Sequence, residues 1–230
     1  MSEKSTYSIY LGGELFNHKD LIGNVFLAEA IGEKSGYRYQ CIIPQNLEQR
    51  ETSPQNIRDQ DLCTLLNCDL ALFHYDGTDL DSGTVVEFIF AKFADIPSVI
   101  LRTDYRSWSS DQANFPWNLM ASFYPRTEVL VLDGISAYQE KFKFFEESDN
   151  RIVLKKKHGT QAATEMVDYL ASLVVDAFDK VQEQAPILEE QKAATVYQWL
   201  AHMPGFQMGS QNAEKILLQA LKNKRAKGIL

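Results

Sequence analysis

Apolar and polar positions change period repeatedly along the first 135 residues. Short apolar runs closed by turn residues recur at 7–13 (YSIYLGG), 37–44 (YRYQCIIP), 69–76 (DLALFHYD), 97–104 (PSVILRTD) and 127–134 (TEVLVLDG). Runs of this length and bounding predict five strands. Between them the apolar positions take helical spacing. Residues 19–34 carry Leu21, Ile22, Val25, Phe26, Ala28 and Ile31 on one side; a second helix opens at Pro54, with Ile57, Asp61, Leu62, Leu65 and Leu66; a third starts near Ser82. Strands separated by such helices predict an α/β fold: a five-stranded parallel sheet, doubly wound in flavodoxin-like order, with helices on both faces. Past residue 150 a polar, basic connection (DNRIVLKKKHGT) leads to helical patterns at 161–184, 187–203 and 212–227. The chain therefore divides into an α/β domain (1–150) and a helical C-terminal extension (151–230). The basic tail (Lys215, Lys222, Lys224, Arg225, Lys227) reads as a solvated helix face with cations near its C-terminus.

Composition narrows the function. With 230 residues, 45% of them hydrophobic, the chain can bury a substantial core. A net charge of −8 disfavours nucleic-acid phosphates as partners. No run of 18 apolar residues suggests a membrane span, and the N-terminus lacks the layout of a secretory signal. Cys41, Cys63 and Cys68 have no Cys-x-x-Cys spacing, and the four histidines have no metal-ligand spacing. No Gly-x-Gly-x-x-Gly or Walker-type loop signals a dinucleotide or NTP. A soluble cytoplasmic protein needing neither metal nor cofactor is the expectation.

One carboxylate stands out. Glu87 lies inside Val85-Val86-Glu87-Phe88-Ile89-Phe90-Ala91, one turn into the third helix, and its neighbours three and four positions away are Gly83, Thr84, Phe90 and Ala91. A glutamate desolvated without a cation nearby costs free energy and has a raised pKa. It is either a structural acceptor for a nearby loop or a catalytic carboxylate. Its place at the carboxyl ends of the strands, where open α/β sheets bind ligands, favours catalysis. Asp61 shares an inward stripe with Ile57 and Leu65; a salt bridge to Arg58 and a site role are equally open. Asp81 is an N-cap candidate for the same helix, and Tyr10 a core tyrosine beside the sheet's centre. Together these place three carboxylates and a phenol around one crevice, next to Gly12 and Gly13. Paired carboxylates at an anomeric carbon are the usual equipment of glycosyl transfer.

These residues resemble the nucleoside 2-deoxyribosyltransferase family over about 7–134, through IYLGGELF (9–16), QDLCTLLNCDLALF (60–73), DSGTVVEFIFA (81–91) and NLM (118–120). The resemblance implies transfer of 2-deoxyribose between nucleobases, with 2-deoxynucleosides and free bases as partners. Glu87 would be the nucleophile, Tyr10 would orient it, and Asp61 would handle the base's proton. Asp81 would bind the 5′-hydroxyl, with Gly12 and Gly13 lining the site and Gln45 or Asn46 touching the base. Asn118 and Met120 would reach into a neighbouring subunit of a homo-oligomer. Leu15 stands where some relatives place an aromatic residue against the base; Phe16, Trp108 and Trp117 are the substitutes. Related hydrolases of nucleoside 5′-monophosphates, and a non-catalytic nucleoside sensor with a helical assembly module, are the alternatives.

Overall fold

A computed structural model describes residues 5–47, 53–107, 118–142, 156–206 and 210–230. Five parallel strands, β1 (Tyr7–Gly12), β2 (Tyr39–Ile42), β3 (Leu70–His74), β4 (Ser98–Arg102) and β5 (Thr127–Val131), lie in the order β2-β1-β3-β4-β5. The chain steps outward from β1 to β2 and then returns past β1 to β3, so the strand order reverses between β1 and β3. That reversal is where an open sheet leaves a crevice at its carboxyl edge.

Strand alternation sorts the side chains into two cores. Ile9, Leu11, Leu70, Leu72, Val99 and Leu101 point to one face and are covered by α1 (His18–Lys34) and α5 (Lys156–Gln182). Tyr10, Ala71, Phe73 and Ile100 point to the other, under α2 (Pro54–Asn67), α3 (Ser82–Phe93), α6 (Glu190–Ala201) and α7 (Ser210–Ala226). Local chemistry fixes the helix starts: Asn17, Ser53 and Asp81 cap α1, α2 and α3 through their side chains, and Pro54 occupies the first turn of α2.

The predicted strands and helices are present, with ends moved by a few residues. The helix α4 (Gly134–Phe142) is an addition to the expected set, in a stretch where the sequence suggested only the end of a strand. Gly134 starts it where a side chain could not fit, since a Cβ there would lie 2.4 Å from the Thr103 carbonyl oxygen.

Beyond residue 155 the chain is woven into both cores. On one face Asp179 of α5 takes hydrogen bonds from Tyr39 and Arg38. On the other, Asp95 and Arg126 form a buried ion pair (3.1 Å, side chains 6% and 2% exposed). The same Asp95 carboxylate accepts from the Ile187 and Leu188 amides at 2.7 and 2.9 Å, and Arg126 donates to the Ile229 carbonyl at 2.7 Å. Lys224 corrects the expectation of a solvated basic face. It is fully buried, and its Nζ donates to the carbonyls of Leu66 and Cys68 at the C-terminal end of α2. Burial pushes its pKa down to about 8. Ala213, Leu217, Ala220 and Leu221 share its stripe of α7 and are likewise buried, so the apolar face of that helix carries the lysine inward. Lys227 pairs with Asp69 at 2.6 Å.

Candidate active site

Glu87 comes to the centre of the carboxyl edge because α3 begins there. Asp81 accepts from the Thr84 amide and hydroxyl at 2.7 and 2.8 Å, which fixes the first turn and aims the next one at β1. The Tyr10 hydroxyl, itself fully buried, donates to Glu87 Oε1 at 2.7 Å. Glu87 Oε2 lies over Gly12, where an added Cβ would sit 2.7 Å from it and 3.1 Å from the Phe73 ring. Both carboxylate oxygens are therefore placed: one held by a phenol, the other resting where only a glycine leaves room. No ion pair among the described residues involves Glu87.

Glu87 is half-buried, and aromatic rings pack beside it. Phe73 and Phe88 pack edge to face at 5.4 Å, as do Phe88 and Tyr124. Burial is the main reason that the Glu87 pKa is pushed up to about 7; the Tyr10 hydrogen bond opposes it, and the charges of Asp61 and Asp81 add to it. Burial and the proximity of Glu87 push the Tyr10 hydroxyl far upward, so it stays protonated and keeps its hydrogen for Glu87.

Glu87 opens onto a cavity of about 630 Å³ that it shares with Asp61, Ile57, Ser82, Val86 and Phe90. Asp61 is on the inward side of α2, as expected. The neighbouring Arg58 turns to the buried Asp59 (2.5 Å) and to the Gly205 carbonyl (2.6 Å). The far wall is Met203, Pro204, Gly205 and Phe206, from the connection between α6 and α7. Nothing in the local sequence there marks a site.

The remaining candidates fall into two groups. Gly12, Gly13 and Asp81 are at the crevice; a Cβ at Gly13 would press on His74 at 3.2 Å. Gln45 and Asn118 have local partners instead. The Gln45 amide bridges Leu21 O (2.7 Å) and Asn24 Nδ2 (3.3 Å), and Asn118 Oδ1 caps a short 3₁₀ turn at Leu119–Ala121 through the Met120 and Ala121 amides. Leu119 and Met120 project outward, 62% and 76% exposed. Of the proposed base-stacking substitutes, Phe16 is exposed and Trp108 and Trp117 lie outside the described residues.

Two features escaped the sequence reading. The Tyr75 hydroxyl is buried and has no hydrogen-bond partner among the described residues; burial first, then Glu87 and Asp81, raises its pKa. The edge itself is braced by Asp76, which accepts from the Thr103 and Asp104 amides (2.5 and 3.0 Å) and pairs with His74 Nε2 at 2.9 Å. Arg102 holds the carbonyls of Tyr75 and Gly77 at 2.5 and 3.0 Å.

Residues 9–120, just under half the chain, match the family model for nucleoside 2-deoxyribosyltransferase. The match runs from within β1 to the 3₁₀ turn at Leu119–Ala121. Its span contains the described site residues of the α/β portion, and leaves out the wall at 203–206. Among solved structures, a conserved protein from Enterococcus faecalis V583 is similar at 29% identity, covering 48% of this chain and 72% of its own, with a TM-score of 0.42. A 2-desoxiribosyltransferase from Leishmania mexicana is similar at 20% identity, covering 59% and 96%, also with a TM-score of 0.42. A comparison with curated proteins gave no match. No helix among the described residues is long and apolar enough to cross a membrane, and no cluster of His, Cys, Asp and Glu there could hold a metal.

Two site predictions follow from the distances. Gly12→Ala is expected to fold with a loss of about 1–3 kcal/mol, because the new methyl overfills the space between the Phe73 ring and the carboxylate. Its turnover is expected to drop by at least roughly tenfold, since Glu87 must move. A melting curve and an initial-rate assay on one preparation separate the two effects; unchanged turnover would show that the contact with Glu87 is unimportant. Tyr10→Phe removes the hydrogen bond that favours the ionised Glu87, and is expected to move the acidic limb of the pH–rate profile upward. An unmoved limb would deny Tyr10 that role.

Proposed function

We propose that this protein transfers 2-deoxyribose from one nucleobase to another with retention, through a covalent ester on Glu87. The observation that carries the reading is a half-buried carboxylate, held by Tyr10 and lying over Gly12, that lines a cavity with a second acid, Asp61. Glu87 attacks the anomeric carbon; the C1′–N bond breaks as the C1′–O bond forms, and Asp61 delivers a proton to the departing base. A second base then attacks the ester, giving up a proton to Asp61, and Glu87 leaves with the electron pair. Apolar walls limit water and so favour a base as acceptor.

A free 5′-hydroxyl suits the crevice better than a phosphate. Glu14 has a pKa raised by burial and by the charges of Asp20, Asp81 and Asp76, so this edge is already crowded with negative charge. Asp81 offers an acceptor to a hydroxyl and repels a phosphate. In this reading Asn118 and Met120 act on the site of a neighbouring subunit of a homo-oligomer.

Incubation with deoxyinosine or thymidine and free adenine, followed by chromatography, tests the assignment. Deoxyadenosine is the expected product. Base release without exchange would point to a hydrolase, and no change to a nucleoside sensor. The rate of the first step is expected to rise with pH through about 7, the pKa of Glu87, because only the ionised form attacks. A rate flat from pH 5.5 to 8.5 would count against Glu87 as the nucleophile.

A further inference from the structure

We infer that the connection between α6 and α7 forms the base-recognition wall of this site, with Phe206 as its main contact to a planar heteroaromatic ring. The inference rests on the transfer reading for the identity of the ligand, but its geometry is independent of it. Met203 to Phe206 line the same cavity as Glu87 and Asp61, together with the apolar Ile57, Val86 and Phe90 and with Arg58. A largely apolar lining that also carries two acids and Arg58 fits a flat ring with a polar edge. The faces of such a ring need only dispersion and desolvation, while its nitrogens and exocyclic groups need a polar partner. Asp61 is placed to read that edge.

The wall is fixed, and not a chance neighbour. The Phe206 amide donates to the Met203 carbonyl at 3.2 Å, closing a tight turn in which Gly205 takes φ +88°. Arg58 of α2 donates to the Gly205 carbonyl while its guanidinium is held by the buried Asp59. Behind the turn, the Tyr197 hydroxyl bonds the Ala94 carbonyl, and Lys224 holds the end of α2. Leu15 is half-buried and lacks a ring, while Phe16 is 75% exposed, so the loop after β1 presents no enclosed aromatic side chain. Phe206 supplies one from the opposite direction, and base preference is then set by the helical extension.

The test uses the full-length protein, with adenine, hypoxanthine and thymine as probes. Calorimetric titration of the free bases and steady-state exchange kinetics are measured for the parent, Phe206→Ala, Phe206→Leu and Glu87→Gln. Phe206→Ala is expected to weaken binding of the preferred base at least tenfold and to raise the acceptor KM by a similar factor, with kcat changed less than threefold. Phe206→Leu, which keeps apolar volume and guards against a folding defect, is expected to fall between. Unchanged binding and KM in both variants, with Glu87→Gln inactive, would overturn the wall and leave the transfer reading standing. Binding that depends on Phe206 in a protein without turnover would support the wall and remove the transfer reading. A parent that binds none of the bases overturns the wall.

Discussion

Glu87→Gln is expected to fold, to melt at a higher temperature than the parent at pH 8, and to lose turnover by about 10³-fold or more. The three results have one cause. In the folded protein the Glu87 pKa is pushed up to about 7, from an ordinary value of 4.5. A carboxyl raised in this way stabilises the fold below its unfolded pKa, and that contribution is lost as pH rises through about 7. At pH 8 the native state therefore holds an ionised group that prefers water, at a cost of up to about 3 kcal/mol. Glutamine keeps an acceptor for the Tyr10 hydroxyl and removes the charge. With a chain of this size, recovering about 1–3 kcal/mol raises Tm by roughly 2–10 °C. In the proposed reaction the nucleophile goes with the charge, a trade between stability and activity that is common at working sites. Scanning calorimetry at pH 5 and pH 8 provides the check, because the gain is expected to shrink at the lower pH. A variant that melts lower at both values would mean that Glu87 is a structural acceptor.

Arg126→Ala carries the largest expected loss of stability, about 3–5 kcal/mol, because it leaves Asp95 charged, buried and without its cation. The same change removes the donor to the Ile229 carbonyl and so weakens the seat of α7. Asp95 adopts φ +53° just beyond α3, a conformation that aspartate tolerates better than most residues, and its carboxylate also receives the amides of Ile187 and Leu188. One charge pair thus joins the turn after α3, the start of β5 and both ends of the C-terminal hairpin. Urea unfolding at pH 7 measures the loss. A change below about 1 kcal/mol would mean that the pair is replaced by water at little cost.

The strands announced themselves because each is short, apolar and bounded by Gly, Pro or Asp, and the helices because their apolar faces repeat. Glu87 was legible for the opposite reason: it violates the apolar pattern around it, and such violations gather at functional sites. The wall at 203–206 was not, since a turn of Met, Pro, Gly and Phe is unremarkable until tertiary packing brings it across from α2. Lys224 lay between these cases. Its stripe with Leu217 and Leu221 was visible, but the surrounding cations suggested a solvated face, and only the carbonyls at the end of α2 explain why a lysine can point inward. Helical spacing allowed Arg58 to pair with Asp61, but Arg58 bonds Asp59 and the distant Gly205 carbonyl.

The separation of the interior into two cores has a practical side. The layer made by α1, α5 and the strand residues that face them shares no side chain with the cavity around Glu87. Efforts to harden the protein for heat or solvent can be confined to that layer, where better packing would leave the chemistry untouched. The opposite layer is where altered substrate choice has to be sought.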